Sequence, residues 1–120
     1  NHVQRTQALR LRTKRFAGSI VRFYVDLDKR PAEITILAKQ LNDLELQLEP
    51  TTEKQPFRSD AEFIAKIGLC AQEADETQYW LELLNEDCGI SKEQTQPIWN
   101  EADELIRIFV TMSQNTKKRK

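Results

Sequence analysis

Arg58-Ser59-Asp60-Ala61-Glu62-Phe63-Ile64-Ala65-Lys66-Ile67, running through Gly68-Leu69-Cys70 into Ala71-Gln72-Glu73-Ala74-Asp75-Glu76-Thr77-Gln78-Tyr79-Trp80-Leu81-Glu82-Leu83-Leu84, is the stretch that decides the fold. Phe63, Ile67, Cys70, Ala74, Thr77, Leu81 and Leu84 recur at alternating steps of four and three for three heptads. A strand would alternate every second residue, whereas this spacing places one continuous stripe along a helix, as in a bundle seam. Its ends carry punctuation of their own. Ser59 followed by Glu62 fits a capping box, and Gly89-Ile90 suits a left-handed stop, so the helix is expected from about Asp60 to about Asp87.

Working outward, the same periodicity appears three more times. Phe16, Ile20, Phe23 and Leu27, with Leu9 one heptad earlier, form a first stripe. Ile34, Leu37, Leu41, Leu44 and Leu48 form a second after the break at Arg30-Pro31. Ile98, Ala102, Leu105, Phe109 and Met112 form the last, with Pro97 expected in the first turn of that helix, where a missing N–H is harmless. The short link after Gly89 makes the third and fourth helices antiparallel neighbours. The expected fold is all-α, an antiparallel up-and-down four-helix bundle over residues 1–116 with a basic tail at 117–120.

Composition agrees. An apolar share of 39% in 120 residues supports one modest core, while four prolines and three glycines leave few turns for a sandwich or barrel. No apolar run approaches the roughly 20 residues that span a bilayer, and no charged-then-apolar leader is seen, so the expectation is a cytoplasmic protein with no membrane partner. Cys70 on the apolar stripe and Cys88 in the following turn are expected as two reduced thiols.

The third-helix stretch closely resembles the corresponding helix of the bacterial 23S rRNA intervening-sequence protein family, a relative of which is the accessory variability protein of diversity-generating retroelements. The resemblance implies a four-helix bundle and a homo-oligomer. Because the retroelement relative is described as a ring of five copies, it also implies a pentamer, and it brings no reaction with it. The second helix departs from the family. After Ile36-Leu37-Ala38-Lys39-Gln40-Leu41 the family continues close to Leu-Arg-Ser-Gly-Thr-Ser-Val-Gly-Ala-Asn-Tyr-Arg-Glu-Ala, but here Asn42 to Phe57 read NDLELQLEPTTEKQPF. A set of codons chosen for those residues from among the synonymous ones, read two bases later, translates as Arg-Ser-Gly-Thr-Ser-Val-Gly-Ala-Asn-Tyr-Arg-Glu-Ala-Ala-Val. Two origins are therefore open: a pair of compensating frameshifts, or a genuine segment in which Leu44 and Leu48 continue the stripe and Pro50 ends the helix.

Catalytic and metal chemistry find no constellation. Glu73 and Glu76 are spaced like two carboxylates of a di-iron bundle, but the only histidine is His2. Glu73, Asp75, Glu76 and Glu82 are expected on a solvated or salt-bridged face, with Glu62 and Lys66 in the i,i+4 order that supports a helix. No phosphate loop, nucleophile elbow or Cys-His pair occurs, so no enzyme activity, cofactor or metal is expected.

Charge is the remaining signal. Residues 1–39 hold nine Lys and Arg against three acids, residues 40–112 hold five against sixteen, and Lys117, Lys118, Arg119 and Lys120 follow. Arg5, Arg10, Arg12, Lys14, Arg15 and Arg22 share the first helix with no acid before Asp26, on an arc expected to face away from Phe16, Ile20 and Phe23. With the tail they form the candidate nucleic-acid contact, for RNA or DNA phosphates. A solvated face, or docking on an acidic partner surface such as a nucleic-acid-processing protein, fits the same pattern. Tyr79 and Trp80 widen the apolar arc of the third helix; core packing explains such residues, and a subunit interface explains them too. Two function classes stay in view: an oligomeric nucleic-acid-associated accessory or scaffold protein, and a purely structural homo-oligomer in which basic first and acidic third helices complement one another between subunits.

Overall fold

The protein is seen here as a computed structural model that describes residues 2–48 and 59–118, with side chains described for 7–43 and 59–118. Four helices follow in order: α1 (His2–Asp26), α2 (Ala32–Leu48), α3 (Asp60–Cys88) and α4 (Lys92–Lys118). α1 packs on α2 and α4, and α3 on α2 and α4, while among the described residues the diagonal pairs make no close approach. The result is a four-cornered bundle of 50 × 22 × 19 Å with α1 and α3 at opposite corners.

The expected stripes form the core. Phe16, Ile20, Phe23 and Leu27 meet Ile34, Ala38 and Leu41, then Phe63, Ile67, Cys70, Leu81 and Leu84, then Ile98, Ala102, Leu105 and Phe109 in one buried cluster. Leu9, Leu37 and Met112 lie half-buried against it. The buried threonines solve a polar problem in a single way. Thr13, Thr77 and Thr116 each donate the hydroxyl to a backbone carbonyl one turn back, at Leu9, Glu73 and Met112, over 2.8 to 2.9 Å. Each hydroxyl is thus satisfied without a partner helix, which lets threonine serve as a seam residue.

Helix ends follow local chemistry. Ser59 sits in extended backbone and its hydroxyl accepts from the Glu62 N–H at 3.1 Å, the hydroxyl half of the capping box, while the Glu62 carboxylate lies 3.6 Å from Lys66. α3 stops at Gly89, whose φ of 76° is the left-handed conformation that glycine adopts without a Cβ clash, and the Ile90 N–H turns back to the Leu84 carbonyl at 3.0 Å. Cys70 and Cys88 form no disulfide with one another.

One boundary differs from the sequence expectation. α4 begins at Lys92, so Pro97 lies in its second turn and not its first. The earlier start is set by Ser91, whose carbonyl accepts from the N–H groups of Gln94 and Thr95 and from the Thr95 hydroxyl. A proline there forgoes only one ladder bond near the frayed end. At the other end α4 continues through Lys118, so two of the four tail residues are helical. The expectations for Leu44, Leu48, Pro50 and Phe57 fall on side chains or residues outside the described set, and with them the choice between a genuine segment and a shifted reading frame.

Candidate nucleic-acid interface

The bundle's topology fixes which charges share an end. A groove between α1 and α4 is lined by Ser19, Arg22, Phe23 and Asp26 on one side and Gln94 and Ile98 on the other, whereas Arg12 meets Glu101 and Glu104. Numbers rise on α1 as they fall on α4, so the two are antiparallel. The start of α1 and the end of α4 therefore occupy the same pole, where Lys117 and Lys118 stand level with the first residues of α1, about 20 Å along the axis from Arg12. Arg5 lies in α1 with its side chain outside the described set, and Arg119 and Lys120 are outside the described residues.

The six arginines and lysines of α1 do not behave alike. Lys14, Arg15 and Arg22 are exposed. Arg22 reaches only the Ser19 hydroxyl, at 3.4 Å. Arg10 is half-buried with its Nε enclosed and lacking a hydrogen-bond partner. Arg12 departs from the arc drawn from the sequence. It turns to the α1–α4 flank, where Nε donates to Glu101 at 2.8 Å, and Nη2 donates to Glu101 at 2.7 Å and to Glu104 at 2.6 Å. A fork held on two carboxylates is a helix clamp, and its charge is already neutralised locally. The hydrogen bonds that Arg12 donates to Glu101 raise the Arg12 pKa, and the same contact holds the Glu101 carboxyl below the usual carboxylate range.

The clamp makes a measurable difference. Its groups are partly exposed, so Arg12→Gln is expected to lower the unfolding free energy by about 1 kcal/mol at neutral pH and low salt. A depressed carboxyl pKa contributes stability above its unfolded value of about 4.5 and loses it as pH falls through the folded value. Urea titrations of both proteins should therefore converge in acid and at high salt; an equal gap at pH 3 and pH 7 would contradict the clamp.

On α3 the aromatic pair divides. Tyr79 is 56% exposed, while Trp80 is half-buried against the core, with ring centroids 5.2 Å apart at 70°. Glu73 corrects the expectation of a solvated acidic face. It is buried, its Oε2 has no hydrogen-bond partner, and burial, followed by the charge of Glu76, pushes its pKa up. The signal was present in the spacing, since Glu73 lies three residues after Cys70 and four before Thr77 on the seam. Gln78 is also buried, donating to the Trp99 carbonyl at 3.2 Å and to Asp103 at 3.4 Å. Asp75, Glu82 and Glu86 remain exposed, with Glu82 accepting from the Trp99 indole at 2.9 Å.

Two open grooves of about 250 and 280 Å³ flank α4, the second lined by Glu82, Asn85, Glu86, Lys92, Thr95, Gln96 and Trp99. Neither brings together a nucleophile and a base. Among the described residues no three His, Cys, Asp or Glu side chains are grouped to hold a metal ion, and no helix is long and apolar enough to cross a membrane.

No family model and no curated protein matches the chain. A solved structure does. A protein of unknown function from the S23 ribosomal protein family of Bacteroides thetaiotaomicron VPI-5482, determined at 1.70 Å resolution, is similar over 90% of this chain and 93% of its own, with 27% identity and a TM-score of 0.77. That likeness supports the family grouping to which the third-helix sequence points.

Proposed function

We propose that the protein is a non-enzymatic, self-associating four-helix bundle that holds nucleic-acid backbone at its basic pole, as an accessory or scaffold module. The observation that carries this reading is the basic pole: Lys117 and Lys118, exposed and free of described ion pairs, end α4 level with the start of α1, whose charges before Asp26 are all positive. Arg10 extends the positive surface along α1, and Arg12 supports it from behind as a clamp. Contacts of this kind follow phosphate spacing and not base edges, so RNA and DNA of unrelated sequence should bind alike. Self-association would multiply weak contacts through avidity, and the family resemblance implies five copies.

Labelled RNA and duplex DNA should shift at low salt. For three to four phosphate contacts on duplex DNA, affinity should fall by about 40-fold to 150-fold between 50 and 200 mM salt. Lys117→Ala/Lys118→Ala should weaken both ligands together and flatten that slope. Absence of any shift at low salt, with the tail intact, would leave the second reading, a structural homo-oligomer without nucleic acid. That reading draws on Glu101 and Glu104 beside α1, which temper its positive field.

A further inference from the structure

α1 carries a second heptad pattern on the side facing away from the core. Leu11, Lys14, Gly18, Val21 and Val25 follow one another at steps of three and four, and Leu11, Val21 and Val25 are 48, 40 and 66% exposed. Arg15 and Arg22 flank this outer seam on one side. α3 carries an outer seam too, with Gln72, Glu76, Tyr79, Leu83 and Glu86 at steps of four and three, flanked by Asp75 and Glu82. One seam is apolar and basic, the other apolar and acidic, and they occupy diagonally opposite corners.

The two seams also match in height and direction. Arg12 bonds Glu101 and Glu104, while Gln78 bonds Asp103 and the Trp99 carbonyl, so residues 12 and 78 stand level along the bundle. Both helices run antiparallel to α4 and hence parallel to each other. The basic span from Lys14 to Arg22 thus stands level with residues 80–88 of α3, which include the acids Glu82 and Glu86. We infer that the outer seam of α1 docks on the outer seam of α3 of a second copy of this chain. The occupant is a second copy because one bundle carries both complementary faces at the same height, so neighbours can meet side by side without a shift along the axis. Two different faces in contact make a heterologous interface, which closes into a ring when the rotation permits. The interface is apolar at its centre and charged at its edges, and the charges select partner and register.

This inference rests on the self-association proposed above and assigns its surface. The test uses nuclease-treated full-length protein in light scattering. Arg15→Glu/Arg22→Glu gives a chain acidic on both seams, and Asp75→Lys/Glu86→Lys gives one basic on both. Circular dichroism should show both folded. Each alone should dissociate at concentrations about a hundredfold above those at which the wild type does, because attracting pairs have become repelling ones. Mixed together, the two should associate with one another at concentrations where neither assembles alone, since each then meets its complement, a ring with an odd number of copies keeping one repelling contact. Wild-type protein that is monomeric at micromolar concentration would overturn both the inference and the self-association reading. Wild-type protein that assembles, with both variants assembling equally well or failing to rescue one another, would overturn only the choice of α1 and α3 as the surfaces.

Discussion

Replacing Phe109 with alanine is expected to lower the unfolding free energy by about 3–5 kcal/mol. Phe109 is 1% exposed on α4 and belongs to the single cluster joining all four helices. Its loss removes the ring's transfer free energy and leaves a cavity that the long helices cannot close without sliding past one another. A domain of this size has about 5–15 kcal/mol in all, so the variant should sit near the edge of folding. Val110, the next residue along α4, is 43% exposed, and Val110→Ala should change stability by about 0.5 kcal/mol or less. Urea titrations should show the Phe109→Ala midpoint moving far down with little change in slope. A difference between the two variants of under about 1 kcal/mol would mean that the seam read from the sequence is not the core.

Glu73→Met should act in the opposite direction. Glu73 is buried beside Cys70 and Thr77, with Oε2 lacking a donor, and methionine fills similar volume without that acceptor. Removing an unsatisfied buried polar group is expected to raise stability by about 1–3 kcal/mol at neutral pH. The sign of the pH dependence follows from a carboxyl pKa that burial raises. The native state then binds the proton more tightly than the unfolded chain, so wild-type stability falls as pH climbs from the ordinary value of 4.5 through the folded one. The variant lacks that decline. Its advantage should therefore shrink below pH 4.5 and open above it, as thermal melts across that range would show. A variant less stable than wild type at pH 7 would mean that the Glu73 carboxylate has a stabilising partner.

How much of this was legible in the sequence depends on which physics controls each part. The seams were legible because apolar burial imposes its period on the chain: Phe63 to Leu84 and Ile98 to Phe109 appear in the core at the positions the heptads gave. The stop at Gly89 was legible because a left-handed backbone selects glycine. The start of α4 was misplaced because proline's preference for a first turn does not stop the helix from beginning earlier, where the Ser91 carbonyl already accepts from the Gln94 and Thr95 N–H groups. Arg12 was misjudged for a different reason. A charge pattern within one helix does not say which acids a neighbouring helix brings, and Glu101 lies 89 residues away in the chain. The same holds for Gln78, whose partners sit on α4. Glu73 was the one functional-looking residue whose burial the spacing could have given, had its position beside the seam outweighed its charge.

The up-and-down path has a final electrical consequence. Backbone dipoles in a helix add to a partial positive charge at its start and a partial negative one at its end. At the pole where the two basic segments converge, α1 and α3 begin while α2 and α4 end, so the four fields largely cancel. Asp60 and Glu62 in the first turn of α3 sit well in its field, as do Lys117 and Lys118 in the last turn of α4. α1 is the exception, opening without any acid in its first turn and with Arg5 already present. Its early positive charge works against its own helix by a few tenths of a kcal/mol per residue at most. Of the two helices that begin at this pole, α1 alone therefore lacks the favourable match between side-chain charge and backbone field.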